Sequence, residues 1–295
     1  MTKLAETFGL NEFQTEIIAT VRQFVEKEVI PNAPELERTD TYPQAIVDQM
    51  REMGLFGLMI PQEYDGLGES LLTYALCVEE LARGWMSISG VLNTHFIVAY
   101  MLRRHGTDAQ KQRLLPRMAV GEVRGAFSMS EPELGSDVAA IRTRAALNAD
   151  GTYTINGQKM WLTNGGSSTL VAALVRTDEG ADTPHRNLTA FLIEKPTGFG
   201  EVKPGLLIPG KIDKLGYKGI DTTELIFDGY VTGADDVLIP ARSSELIAAD
   251  IPGAQLLINP GVGHNFLTPA HEFFLAGFTP FLKAHSMGIN RSANP

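Results

Sequence analysis

The chain has 295 residues, 44% of them hydrophobic and 20% charged, and carries a formal net charge of -10. That length supports one large domain or two modest ones with real cores, and the composition excludes a disordered or fibrous chain. The acidic balance argues against a polyphosphate backbone as the main partner, so no nucleic-acid role is expected.

The single cysteine, Cys77, cannot close an intramolecular disulfide. In an apolar helical stretch it reads as a small buried hydrophobe. The start, MTKLAETFGL, has neither the apolar core of a secretory signal nor an Arg-rich transit character. No apolar run approaches the ~18 residues that a membrane span needs. A cytoplasmic protein without a membrane partner is expected.

From Asn11, the residues Phe13, Ile17, Val21, Phe24 and Val25 recur at helical spacing, with Asn11 as cap and Pro31 as stop. Similar patterns predict helices over 42–53, 71–83, 87–104 and 108–119, separated by Gly- and Pro-bearing loops such as PQEYDGLG. The first domain, 1–121, is therefore expected to be all helix. The period changes near Gly121: Ala126, Ser128 and Ser130 alternate, as does 141–147, and Asp150-Gly151 makes a hairpin turn before TYTI. Further strands are expected at 170–175, 188–193 and 223–227, which suits a small sandwich or barrel over 122–230. After Asp228 the pattern becomes turn, helix, short apolar strand, Gly-rich loop and closing helix, an α/β appendage over 231–295. The fold class is thus α+β and multidomain.

The segments richest in chemistry are GAFSMSEPELGSDVAAIRTRA and INGQKMWLTNGG. Taken singly, their residues have ordinary readings. Trp161 can be a cross-strand aromatic, Ser130 and Thr163 strand hydroxyls, and Gly135-Ser136-Asp137 a turn with a capping carboxylate. No GxGxxG or GxxxxGK[ST] phosphate loop occurs in the chain.

Both segments resemble the middle β-domain of acyl-CoA dehydrogenases. Upstream, GLFGLMIPQEYDGLG, VEELAR and RRHGTDAQKQRLLPRMAVGE resemble the helical amino-terminal domain of the same family, and the resemblance covers about residues 1–228 in the family's order. It implies FAD as cofactor, with Phe127, Met129 and Ser130 along the isoalloxazine, Trp161 against it and Thr163 bonding near N5. It also implies Gly135 and Ser136 at the pyrophosphate, with Ser136 touching the phosphate end of an acyl-CoA. The implied reaction takes an acyl-CoA thioester to the trans-2-enoyl thioester, with an electron-transfer flavoprotein as the next carrier. The sequence departs from the family's pattern at Ser130, more often threonine, at Glu133-Leu134, commonly small residues, and at Lys218, often arginine.

Nothing after these strands resembles the carboxyl-terminal four-helix domain that supplies the family's catalytic glutamate, so no catalytic base is identified. Loss of that domain is expected to impair activity and weaken a homo-oligomer. The tail instead resembles the end of an α/β-hydrolase, with Asp236 at the triad acid and His264 at the triad histidine. No G-x-S-x-G nucleophile elbow accompanies them, and both also read as a turn carboxylate and a loop histidine. His264 with His271 lacks a third ligand, so no metal is expected. The expectation is a truncated, chimeric chain joined near 228–231. Its alternatives are a catalytically inactive protein that binds FAD and acyl-CoA and, third, a hydrolase.

Overall fold

A computed structural model describes residues 8–177 and 187–239. Helix α1 (Glu12–Phe24) begins at a capping box, in which the Asn11 side chain accepts the Gln14 N–H at 2.8 Å and the Gln14 side chain accepts the Asn11 N–H at 3.1 Å. It widens into a π-helical turn, Val25–Val29, just before Pro31. After the short α2 (Ala33–Arg38), α3 (Gln44–Glu52) starts two residues later than its pattern suggests, because Pro43 occupies the N-cap. Gly54, at φ 73°, ends that turn in the left-handed conformation that glycine adopts without strain. Helices α4 (Leu71–Gly84), α5 (Met86–His105) and α6 (Asp108–Ala119) follow, close to their expected limits, and α6 opens on a second capping box from Thr107 and Gln110. Cys77 is fully buried in α4, and burial pushes its thiol up to about 12, so it is an inert core residue.

The remaining described chain forms one connected nine-stranded sheet. Its strands are β1 (Gly125–Ser128), β2 (Arg144–Leu147), β3 (Tyr153–Thr163), β4 (Leu170–Arg176), β5 (Leu188–Glu194), β6 (Gly200–Lys203), β7 (Leu206–Ile208), β8 (Thr222–Thr232) and β9 (Val237–Ile239). The pairing order is β6-β7-β8-β3-β2-β4-β5-β9, with β1 parallel to β4. Strands β4 and β5 read as unbroken apolar runs because both their faces are covered. Leu170, Ala172, Ala190 and Leu192 join the helical core, while Val171, Ala173, Phe191 and Ile193 join a second core inside the sheet. Leu206 of β7 and Phe227 of β8 lie in that same second core, so the sheet curls around it.

The expected join near 228–231 falls inside β8, and the sheet continues to β9, which pairs antiparallel with β5. Leu238 is buried in the helical core, and the Gln110 side chain donates to the backbone oxygens of Asp235 at 2.7 Å and Val237 at 3.2 Å. Burial of one leucine and two bonds from α6 tie this stretch to the body that precedes it. The sheet thus takes in residues 237–239, beyond the expected boundary residue 230. The expected appendage beyond residue 239 lies outside the described residues.

Candidate functional site

Strand β1 carries Phe127 with its ring against the helical core, paired in register with Ala172. The chain then leaves the sheet through Met129 and Ser130. The Ser130 carbonyl accepts the Met160 N–H at 2.9 Å, which lays this exit strand along the end of β3. Glu131 and Leu134 exchange backbone bonds of 2.8 and 3.1 Å, a tight turn that delivers Gly135 and Ser136 to the surface.

Along β3 the register against β8 jumps. Lys159 faces Leu225, but Leu162 faces Thr223, so Met160 and Trp161 together oppose Glu224. Two residues against one is a β-bulge, and bulges re-aim side chains. Trp161 absorbs the bulge at φ 63°, and its side chain is 55% exposed although it is the largest on the strand. Thr163, two residues on, is back in register opposite Thr222. The structure thus brings 127–130 and 160–163 side by side, while Gly135 and Ser136 lie at the end of the adjoining turn.

The residues fit a flavin. The hydroxyls of Ser130, Ser136 and Thr163 make no hydrogen bond to protein among the described residues, so each is free to meet a ligand. A Cβ at Gly135 would meet no protein atom within 4 Å, so the fold itself does not ask for glycine there. An exposed indole, unengaged hydroxyls and an uncrowded glycine are the parts that a planar ring with a pyrophosphate tail requires.

What holds these parts is a set of charged residues that motif reading passed over. Lys159 is wholly buried, and its ammonium donates to the Met129 carbonyl and to Glu131, both at 3.0 Å. Glu131 also accepts the backbone N–H groups of Arg142 at 2.7 Å and Thr143 at 2.9 Å. Burial would raise the Glu131 carboxyl, but those bonds and the Lys159 charge outweigh it and hold the group below its ordinary range. For Lys159 burial dominates and lowers the ammonium, with Glu131 opposing. The clue was alternation: Ile155, Gly157 and Lys159 share the inward parity of β3, and an inward lysine needs a partner.

The turn after Thr163 is fixed in the same manner. Asp221 accepts the N–H groups of Gly166 at 2.5 Å and Ser167 at 3.1 Å, and the Ser167 hydroxyl at 2.7 Å. Arg124 donates to the Ser167 carbonyl at 2.5 Å and Lys195 to the Ser168 carbonyl at 2.7 Å. Burial pushes the Lys195 ammonium down to about 8. Asn164 reaches across to α5, donating to the Gly90 carbonyl at 3.2 Å and to the Thr94 hydroxyl at 2.5 Å. An anion on the amides and cations on the carbonyls leave the turn little freedom.

Asp236 lies in the turn before β9, where its carboxylate accepts the Thr232 hydroxyl at 2.6 Å and the Gly233 N–H at 2.9 Å. That is the work of a capping carboxylate. His264 and His271 lie outside the described residues, as does the rest of the hydrolase-like tail. Among the described residues no cluster of three metal-ligating side chains occurs, and no helix is long and apolar enough to cross a membrane.

Comparison with known proteins agrees with this architecture. The profile of the acyl-CoA dehydrogenase N-terminal domain matches residues 11–122, and that of the middle domain matches 126–230. Isovaleryl-CoA dehydrogenase, mitochondrial, of Solanum tuberosum is 35% identical over 233 residues, covering 77% of this chain and 54% of the relative. The short-chain specific acyl-CoA dehydrogenase of Clostridium acetobutylicum is 36% identical over 233 residues, covering 78% of this chain and 59% of the relative. The chain spans little more than half the length of these relatives. Butyryl-CoA dehydrogenase from Megasphaera elsdenii superposes with a TM-score of 0.73 at 26% identity, over 93% of this chain and 77% of that structure. With both domain profiles matched in order across most of its length, the chain belongs to the acyl-CoA dehydrogenase family.

Proposed function

We propose that this chain binds FAD along the face formed by Phe127, Met129, Ser130, Trp161 and Thr163, with Gly135 and Ser136 at the pyrophosphate, and serves the oxidation of an acyl-CoA thioester. The observation that carries the reading is the group of unengaged hydroxyls beside an indole that a bulge holds out from the sheet. FAD, when bound, supplies hydride acceptance, the chemistry by which an acyl-CoA becomes a trans-2-enoyl-CoA.

The chain's own residues bind and orient. Trp161 gives an apolar face for stacking, Phe127 and Met129 extend that wall and keep water out, and Ser130 and Thr163 donate hydrogen bonds at the ring edge. Ser136 donates its one hydroxyl hydrogen to a phosphate oxygen, of the cofactor or of the acyl-CoA, beside Gly135, where even a Cβ would meet no protein atom within 4 Å. None of these side chains is an acid or base at neutral pH, so the face takes no α-proton by itself. The base must come from outside this set, within hydrogen-bond reach of the α-proton.

The relatives act, by name, on isovaleryl-CoA and on short-chain acyl-CoA, which makes short and branched thioesters the first substrates to try. An electron-transfer flavoprotein as electron acceptor, a homo-oligomeric assembly and a cytoplasmic setting belong to the same proposal. Among the described residues, none of the side chains assigned to this face ionises at neutral pH, which favours one alternative, a protein that binds FAD and acyl-CoA without turning the thioester over.

The test is the visible absorption spectrum of the purified chain with FAD, before and after anaerobic addition of isovaleryl-CoA or butyryl-CoA. Retained flavin that bleaches supports the dehydrogenase, and retained flavin whose spectrum shifts without bleaching supports the binding protein. Failure to retain flavin through gel filtration overturns both.

A further inference from the structure

The flavin-side face is assembled from two stretches that are distant in sequence, so its width depends on whatever fixes one against the other. Three consecutive residues of the first stretch are bonded from two consecutive residues of the second. The Met129 carbonyl accepts from the Lys159 ammonium at 3.0 Å, the Ser130 carbonyl from the Met160 N–H at 2.9 Å, and the Glu131 carboxylate from the Lys159 ammonium at 3.0 Å. Glu131 in turn holds the chain entering β2 through the N–H groups of Arg142 and Thr143. Lys159 is the last paired residue before the bulge that turns Trp161 outward.

A wholly buried lysine is costly to keep, and a hydrophobic residue of similar length in its place commonly folds as well or better. Its retention needs a reason that packing does not supply. Its stem crosses from β3 beneath the exit strand, and its charge ends among oxygens belonging to residues that flank the flavin-side face. With Glu131 beside it, the pair is neutral overall and contributes geometry rather than field.

We propose that Lys159 and Glu131 are positioning residues that set the separation between Met129-Ser130 and Trp161-Thr163, and so the fit of the isoalloxazine ring between them. Both side chains are buried and spent on protein partners, so both act through the backbone of 129–131 and the bulge at 160–161. The proposal rests on the FAD reading above and assigns to this buried pair the alignment on which that reading depends.

The experiment compares the wild-type chain with Lys159→Met and with the doubly neutral Lys159→Met/Glu131→Gln, which leaves no unpaired buried charge. Each is measured without cofactor, by far-ultraviolet circular dichroism and Tm, and with FAD, by its Kd and by visible circular dichroism of the bound flavin. The expected result is a double variant that folds with a Tm near wild type but binds FAD about tenfold more weakly, the equivalent of one misaligned hydrogen bond, with an altered visible dichroism. Folded variants with an unchanged Kd and an unchanged flavin signature overturn the positioning role and leave the pair as packing alone. A wild-type chain that takes up no FAD overturns the functional reading and the clamp with it, whereas a flavin-binding wild type with unaltered variants overturns only the clamp. If both variants are unfolded while wild type binds FAD, the pair is needed for the fold itself and the positioning role is likewise overturned.

Discussion

Trp161 adopts φ 63°, a backbone conformation that costs a bulky L-residue about 1–2 kcal/mol, and gains little burial in return. Folding alone gives no reason to keep a tryptophan there. Replacing Trp161 with glycine is therefore expected to leave the cofactor-free chain as stable as wild type, or more stable by up to about 1 kcal/mol, because glycine accepts positive φ. The same change should weaken FAD binding by removing the stacking face. Urea unfolding and FAD titration read the two effects separately, and a stability loss beyond about 1 kcal/mol would make Trp161 a structural residue. Ser130→Ala and Thr163→Val follow the same logic: with no protein partner among the described residues to lose, each should alter stability by no more than about 0.5 kcal/mol while reducing FAD affinity. The sequence singles these residues out because they lie in contiguous motifs. Lys159 and Glu131 lie inside those motifs too, yet their roles come from a contact across 28 positions that no local pattern announces.

At the scale of elements, α5 is attached to the sheet through His95. The Gly125 N–H donates to Nδ1 at 3.4 Å, so Nε2 carries the proton and donates to the Phe56 carbonyl at 3.1 Å. The ring sits edge-on between Phe56 and Phe96 at centroid distances of 5.1 and 5.2 Å, and burial pushes its pKa down to about 4. Between about pH 6.5 and about pH 4 the unfolded chain binds a proton here that the folded chain does not, so stability falls as pH falls through that window. Over the full interval the loss is about 3 kcal/mol. The measurement is the urea midpoint across that range for wild type and His95→Gln, whose single amide can both donate to Phe56 and accept from Gly125. The variant should be less stable at neutral pH and flatter toward acid, and an equal slope in both proteins would remove His95 as the cause. Helices such as α5 and α6 were readable because turns of apolar spacing and capping residues repeat their signal many times. Strands of three or four residues, β6, β7 and β9, repeat nothing, and only pairing with distant partners defines them.

For the whole molecule, the helices, the sheet and the stretch up to residue 239 share buried contacts. The change in sequence character after Asp228 suggests a new unit, but β8 crosses that point without interruption, and Leu238 enters the helical core with 1% of its surface exposed. The backbone on either side of Leu238 is fastened by β5 on one side and by Gln110 of α6 on the other. If this stretch were an addition resting on a finished body, removing the Leu238 side chain would cost little. Because the side chain fills a core shared with Leu115 and Leu192, Leu238→Ala is expected to cost about 2–4 kcal/mol, the range for a buried leucine whose site collapses only in part. Gln110→Ala removes both of these backbone contacts together with the capping bond that its side chain accepts from the Thr107 N–H, and should cost about 2–3 kcal/mol. The control is Leu215→Ala, at a fully exposed leucine, which should stay within about 0.5 kcal/mol. Chemical denaturation of the three variants decides the matter: equal midpoints for Leu238→Ala and Leu215→Ala would place the end of the body before β9, whereas a large loss confined to Leu238→Ala and Gln110→Ala means that folding of the sheet includes the segment through Ile239.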